Sequence, residues 1–218
     1  MKIQVVTTWN NRLYKNYAYR FDQTYNWPFD LTVYNEDEDM YDKIPDLKKF
    51  IERTKDRENT RFSYKVYAYV HAILNCASDV DGLIGIDADS VFYKSIDVDW
   101  IKEHIHKDDC MLSYLGRGSN YSECGFLYFN MRHDQTKNYA LYMKKMYDNR
   151  WIYTLPESHD SYVWDHVRER FEGTKNVKNN NIGDGMGGHV QARSILGTVY
   201  DHTKGLRKIS GKSPEIDL

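Results

Sequence analysis

Apolar residues follow two rhythms along this chain. Ile3 to Thr8 is a short β-branched run, and after Asn10-Asn11 the residues Leu13, Tyr17 and Phe21 recur at helical spacing, which predicts a strand and then a helix over 12–25. Trp27-Pro28 breaks the helix, Leu31 to Tyr34 reads as a second strand, and the acidic cluster Glu36-Asp37-Glu38-Asp39 reads as a solvated surface loop. From Phe62 a helical stripe runs through Val66, Tyr69, Ile73 and Ala77 and ends near Ser78-Asp79; the compact run Leu83 to Ile86 then predicts a buried strand.

Further on, Val91-Phe92 resumes an extended segment, 100–106 reads as a short helix, and 111–115 and 125–130 supply two more strands. Tyr139, Tyr142, Met143 and Met146 mark a helix over 135–147, and Ser158 caps a second over 158–171. The stretch 173–189 holds Asn179-Asn180-Asn181 and four glycines between Gly183 and Gly188, so it has little to bury and reads as a mobile loop that closes over a ligand. It is not read as a dinucleotide fingerprint, since no strand precedes it and no helix follows at once. With no repeat or Pro/Ser-rich linker, the alternation predicts one α/β domain over 1–218 with a mixed, mostly parallel sheet flanked by helices.

Composition narrows the function classes. Hydrophobic residues make up 41% and charged residues 28% of 218, with only four Pro, which is the make-up of a folded domain. A formal net charge of −2 gives no overall field for nucleic acid. No run approaches the ~18 apolar residues of a membrane span, and Met1 to Val6 enters a strand with no signal-peptide core, so the expectation is a soluble, cytoplasmic protein. Cys76, Cys110 and Cys124 are odd in number and widely spaced, and read as buried free thiols.

Two places carry chemistry. Asp87-Ala88-Asp89 leaves the carboxyl end of a buried strand, where open α/β sheets bind ligands. Two carboxylates flanking the small Ala88 can point at one Mg²⁺ or Mn²⁺, and such an ion neutralises phosphate oxygens. Near the C-terminus His202-Thr203-Lys204-Gly205-Leu206-Arg207-Lys208 combines an imidazole, a flexible glycine and three cations, which makes 201–212 a basic segment able to hold phosphates. Lys65 sits at the margin of the stripe through Phe62 and Tyr69; either a site role or snorkelling accounts for it.

The ordered set of motifs resembles the GT-A glycosyltransferases, most closely the glycogenin-like and lipopolysaccharide galactosyltransferase-like group. Thr7-Thr8-Trp9-Asn10-Asn11 with Tyr14, Asp87-Ala88-Asp89, Glu123-Cys124-Gly125-Phe126, His159-Asp160 and His202-x-x-Gly205-x-x-Lys208 follow that group's order over residues 3 to 208. The resemblance implies a nucleotide-diphosphate sugar, a UDP-sugar, with its base near Thr7, Thr8, Asn11 and Tyr14. It further implies Mn²⁺ or Mg²⁺ on Asp87, Asp89 and His202, with Ala88, Lys204, Gly205, Lys208 and Lys65 at the donor. Departures from the pattern are Trp9, Ser161 after Asp160, Ile209-Ser210 after Lys208, and Glu123. A carboxylate at 123 acts as a general base or orients the acceptor; Asp160 is a second candidate for contact with the acceptor hydroxyl or for nucleophile support, each with helix or strand capping as the alternative.

The expected activity is metal-dependent transfer of a hexose to a hydroxyl acceptor on a glycan, a protein or a modified DNA base. A nucleotidyltransferase needs a Gly-rich basic loop after its first strand, and Thr7-Thr8-Trp9-Asn10 lacks both Gly and Lys. A noncatalytic nucleotide-sugar-binding module is the remaining alternative.

Overall fold

The computed structural model describes residues 1–38, 40–118, 120–185 and 187–216. Eight strands are present among them: β1 (Ile3–Trp9), β2 (Asp30–Asn35), β3 (Gly82–Ile86), β4 (Ser90–Phe92), β5 (Cys110–Arg117), β6 (Asn120–Asn130), β7 (Lys178–Asn181) and β8 (Tyr200–His202). Six form one sheet in the order β2-β1-β3-β6-β5-β7, and β4 pairs with β8 in a separate ribbon. Within the large sheet only β6 runs against its neighbours, so the predicted mixed, mostly parallel sheet is present.

Strand alternation divides the interior in two, because successive side chains leave opposite faces of a sheet. Val6, Leu83, Leu127 and Phe129 face one way and pack with the helices Arg57–Asn75, Thr136–Asp148 and Asp160–Lys175. Val5, Ile84, Phe126 and Tyr128 face the other way, against the helical segment from Asn11 to Thr24, the helix Val98–His104 and the β4/β8 ribbon. In an α/β sheet covered on both faces, the strand ends are where functional side chains stay accessible.

Several segments differ from expectation for identifiable reasons. The 11–24 helix contains a π turn, Tyr14–Ala18. The helix expected from Phe62 begins at Arg57, capped by Asp56, whose carboxylate accepts from the Glu58 and Asn59 amides at 2.8 and 3.4 Å; it stops at Asn75, leaving Ala77 exposed. The cap of the Asp160–Lys175 helix is His159 rather than Ser158, and Ser158 instead accepts from Asn59 Nδ2. A helix unread in the sequence, Pro45–Arg53, buries Leu47 and Phe50.

The largest difference lies in 173–189. Residues 178–181 form a strand, and the helix Val190–Arg193 follows the glycines. Amide side chains do there what apolar contacts do elsewhere: Asn179 Oδ1 accepts from Leu112 N, Asn180 Nδ2 donates to Ile105 O, and Asn181 Oδ1 accepts from the Gly116 and Gly183 amides. No helix among the described residues is long and apolar enough to cross a membrane. Of the three cysteines, all free, Cys124 is buried and Cys76 and Cys110 are only partly so.

Candidate active site

β3 runs straight into Asp87-Ala88-Asp89, and its pairing with β6 is carried one step further by Asp87 N donating to Gly125 O at 3.1 Å. The chain then turns back into β4, with Ser90 Oγ donating to Asp87 O. β4 and β8 are antiparallel and pair Ser90 with His202. Thr203 locks this register by donating to Asp89 O from both its amide (2.8 Å) and its hydroxyl (2.7 Å). A residue more than a hundred positions away is thereby set beside the two aspartates.

His202 Nε2 lies 3.0 Å from Asp89 Oδ1 and 3.7 Å from Asp87 Oδ2. The imidazole occupies the space above Gly125, where a Cβ would fall 2.4 Å from ring atoms Cε1 and Nδ1; only glycine fits at that strand position. The helix Val190–Arg193 holds β8 from behind, since Gln191 accepts from His202 N and donates to Tyr200 O, and His189 Nε2 meets His202 O at 2.8 Å. His189 is thus a buried support.

Three ligand atoms from Asp87, Asp89 and His202 lie within 4.8 Å of one another. Two carboxylates and an imidazole are a hard-to-borderline donor set suited to a divalent cation such as Mn²⁺ or Mg²⁺. His202 Nδ1 is buried without a hydrogen bond, 3.7 Å from Glu123 Oε1, the carboxylate position that orients a ligating histidine. The residues present therefore fit such an ion.

Cations already crowd these carboxylates. Lys65 Nζ bridges Asp87 Oδ1 at 3.1 Å and Asp160 Oδ2 at 2.5 Å. Lys208 Nζ meets Asp89 Oδ2 at 2.8 Å and lies over the Tyr17 ring. Lys204 pairs with Glu123, which Arg117 also approaches at 3.7 Å. Burial pushes Asp87 upward, an effect that Lys65 and His202 only partly offset; at Asp89 burial is overcome by His202 and Lys208, and the carboxyl falls well below the usual range. Burial opposes charge on His202, but Asp89, Glu123 and Asp87 prevail and raise it to about 9. Glu123, against burial, is held down to about 2 by His202 and Lys204.

These groups line a cleft of about 910 Å³ at the strand ends. Of the residues singled out in the sequence, Thr8, Lys65, Asp87, Ala88, Asp89, Glu123, Asp160, His202, Lys204, Gly205 and Lys208 all border it. Thr7, Asn11 and Tyr14 do not: Thr7 is fully buried, Asn11 is exposed with its amide on Asp37, and the Tyr14 hydroxyl donates to Asp22. Arg207 also turns away, to Glu215 at 2.6 Å. Gly205 adopts φ +64° with nothing near its missing Cβ, so it makes a turn in the backbone and leaves open space where a side chain would stand.

Sequence reading missed other lining residues. Glu36, read as part of a solvated loop, accepts from Asn10 Nδ2 at 2.7 Å and Thr8 Oγ1 at 3.2 Å, and burial raises its carboxyl despite those bonds. Asp39 of the same cluster lies outside the described residues. Arg57 and Arg61 border the cleft from the first two turns of their helix; their spacing of four was the available signal.

With strand order and site in view, known structures can be compared. No family model matches the sequence, and no curated protein does. A glycosyltransferase involved in the glycosylation of the major capsid of PBCV-1 superposes with a TM-score of 0.54 over 97% of this chain and 98% of that one, at 11% identity. The chain has the GT-A glycosyltransferase fold. GlyE of Streptococcus pneumoniae TIGR4 (TM-score 0.49, 12% identity, 84% of this chain and 46% of that one) and mouse xyloside xylosyltransferase 1 (0.49, 7%, 83% and 85%) are more distant. On this GT-A fold the cleft with Asp87, Asp89 and His202 sits at the strand ends, and β6 alone is reversed.

Proposed function

We propose that the protein is a metal-dependent glycosyltransferase that moves a hexose from a UDP-sugar to a hydroxyl acceptor. The observation that carries this reading is the convergence of Asp87, Asp89 and His202 within 4.8 Å of one another, ringed by Lys65, Lys204 and Lys208, in one cleft. When bound, a divalent cation would neutralise the diphosphate and the charge it gains on leaving.

The side chains divide the remaining work. Asp87, Asp89 and His202 would hold the ion. Lys208 and Lys204, now on Asp89 and Glu123, exchange those partners for phosphate oxygens, where negative charge grows as the sugar–phosphate bond breaks; stabilisation placed there lowers the barrier rather than merely binding substrate. Glu123, held down to about 2, is a poor proton acceptor at neutral pH. Its role here is to position Lys204 and the His202 ring. Asp160, tethered by Lys65 at the first turn of its helix, is the carboxylate available to contact the acceptor hydroxyl or the sugar. Thr8 and Glu36, at the ends of β1 and β2, line the cleft, where they would meet the nucleoside.

Thermal unfolding with UDP, GDP, CDP and dTDP, each with and without Mn²⁺, tests the proposal. A ligand at ~100 Kd contributes ~2.7 kcal/mol, so a rise in Tm requiring both UDP and Mn²⁺, absent in Asp87→Asn, is expected together with release of UDP from a UDP-sugar. No shift with any nucleotide would remove the assignment, and a shift without UDP release would leave a binding module.

A further inference from the structure

The cations that line the cleft differ in how they are used. Lys65, Lys204, Lys208 and Arg117 each have a carboxylate partner. Arg57 and Arg61 have none among the described residues, although both are exposed at the cleft. They lie at i and i+4 with Lys65 at i+8, so one face of the Arg57–Asn75 helix presents all three in line. At 1.5 Å per residue, Arg61 and Arg57 stand about 6 and 12 Å outward of Lys65 along the axis, beyond the Asp87–Asp160 pair rather than on it. The Arg61 guanidinium packs on the Phe62 ring, 4.6 Å from its centroid, an arrangement that fixes the plane and leaves the donor edge free.

Charge balance points the same way. The lining of the cleft contains seven Lys/Arg against five Asp/Glu, in a chain whose net charge is −2. A divalent cation and a doubly charged diphosphate offset each other, so donor binding leaves that local excess in place. An additional negative group is needed to use it.

We propose that Arg57 and Arg61 form a subsite for a single anionic group, a carboxylate or phosphate, on the sugar acceptor. This rests on the glycosyl-transfer reading above. A polyanion is the poorer fit, because Asp56 and Glu58 flank Arg57 and interrupt the basic line, whereas a nucleic-acid strand needs cations that continue along its backbone. Paired guanidiniums favour a planar or forked oxyanion over a neutral hydroxyl.

The test is calorimetric titration of the full chain, with UDP and Mn²⁺ present at saturation, by methyl glucoside, methyl glucuronide, glucose 6-phosphate and a single-stranded DNA 12-mer. One or both anionic sugars should bind about tenfold or more tighter than methyl glucoside, and the preferred one identifies carboxylate or phosphate. The double substitution Arg57→Gln/Arg61→Gln should erase that advantage. Equal binding of charged and neutral sugars, absence of binding by all of them, or an advantage that survives the double substitution overturns the subsite. So does DNA binding tighter than either anionic sugar, or a loss of UDP affinity in the double variant as large as its loss for the anionic sugar. UDP and Mn²⁺ are titrated first: failure there removes the transferase reading and this inference together, while intact UDP binding with no preference among the sugars removes this inference alone.

Discussion

Lys208 and Arg61 border the same cleft from opposite faces of the sheet, and they are in opposite electrostatic states. Lys208 is half-buried, paired with Asp89 and raised by that carboxylate against the pull of burial, and its backbone carbonyl is held by Arg20. Arg61 is exposed, packed on the Phe62 ring and without a carboxylate partner among the described residues. Cations that neutralise the aspartates, Lys65 on the Arg61 helix among them, hold the site together, since unpaired buried charge is costly; Arg57 and Arg61, farther out on that helix, have no carboxylate partner among the described residues. Under the proposed function the paired cations would pass to the donor, and Arg57 and Arg61 would be left for the acceptor.

Breaking the paired group at its centre should have the largest effect. Asp87→Asn removes one carboxylate of the proposed ion site while keeping the shape, and turnover should fall by about a hundredfold or more, ~3 kcal/mol of transition-state stabilisation, measured as UDP release at saturating donor. Next comes Gly125→Ala, whose methyl displaces the His202 ring. Overpacking of this kind costs about 1–3 kcal/mol, read as a drop in Tm of roughly 2–4 °C per kcal/mol, with the Mn²⁺-dependent part of the UDP shift lost. A Tm equal to that of the parent would show that β8 does not hold the ring against β6.

Smaller effects sharpen the distinction. Lys208→Met should weaken UDP binding about tenfold, whereas Arg61→Gln should change it by less than about twofold; equal losses would erase the difference between the two. The smallest effect lies outside the cleft. Burial lowers the pKa of His71, whose ring meets the Tyr34 hydroxyl at 2.8 Å. The unfolded chain then binds the proton more readily, so this contribution is present above pH ~6.5 and fades as pH falls below it. The Tm of His71→Gln should vary less between pH 7.5 and 5.5 than that of the parent.

Legibility in the sequence tracked the range of the interaction. The run from Leu83 into Asp87-Ala88-Asp89 was readable because burial and strand end are both written in adjacent residues. Ile44, Leu47, Phe50 and Ile51 carried the same kind of signal for the Pro45–Arg53 helix, which went unread. β7 could not be read from apolar pattern, since it pairs with β5 through polar residues, three of them consecutive asparagines whose side chains also bond to neighbouring backbone. Likewise Glu36 looked like a member of an acidic loop until Thr8 and Asn10 closed over it.

Local order was the part settled by sequence alone: alternating strands and helices, a carboxylate pair at a strand end and a basic segment near the C-terminus, all consequences of periodicity and composition within a dozen residues. Tertiary structure decided which of those pieces meet. The β4–β8 register brings His202 to the aspartates, Gly125 makes room for its ring, and carboxylates pair with Lys65, Lys204 and Lys208 but, among the described residues, not with Arg57 and Arg61. Partner choice among charges depends on through-space distance and burial, which one-dimensional spacing does not encode.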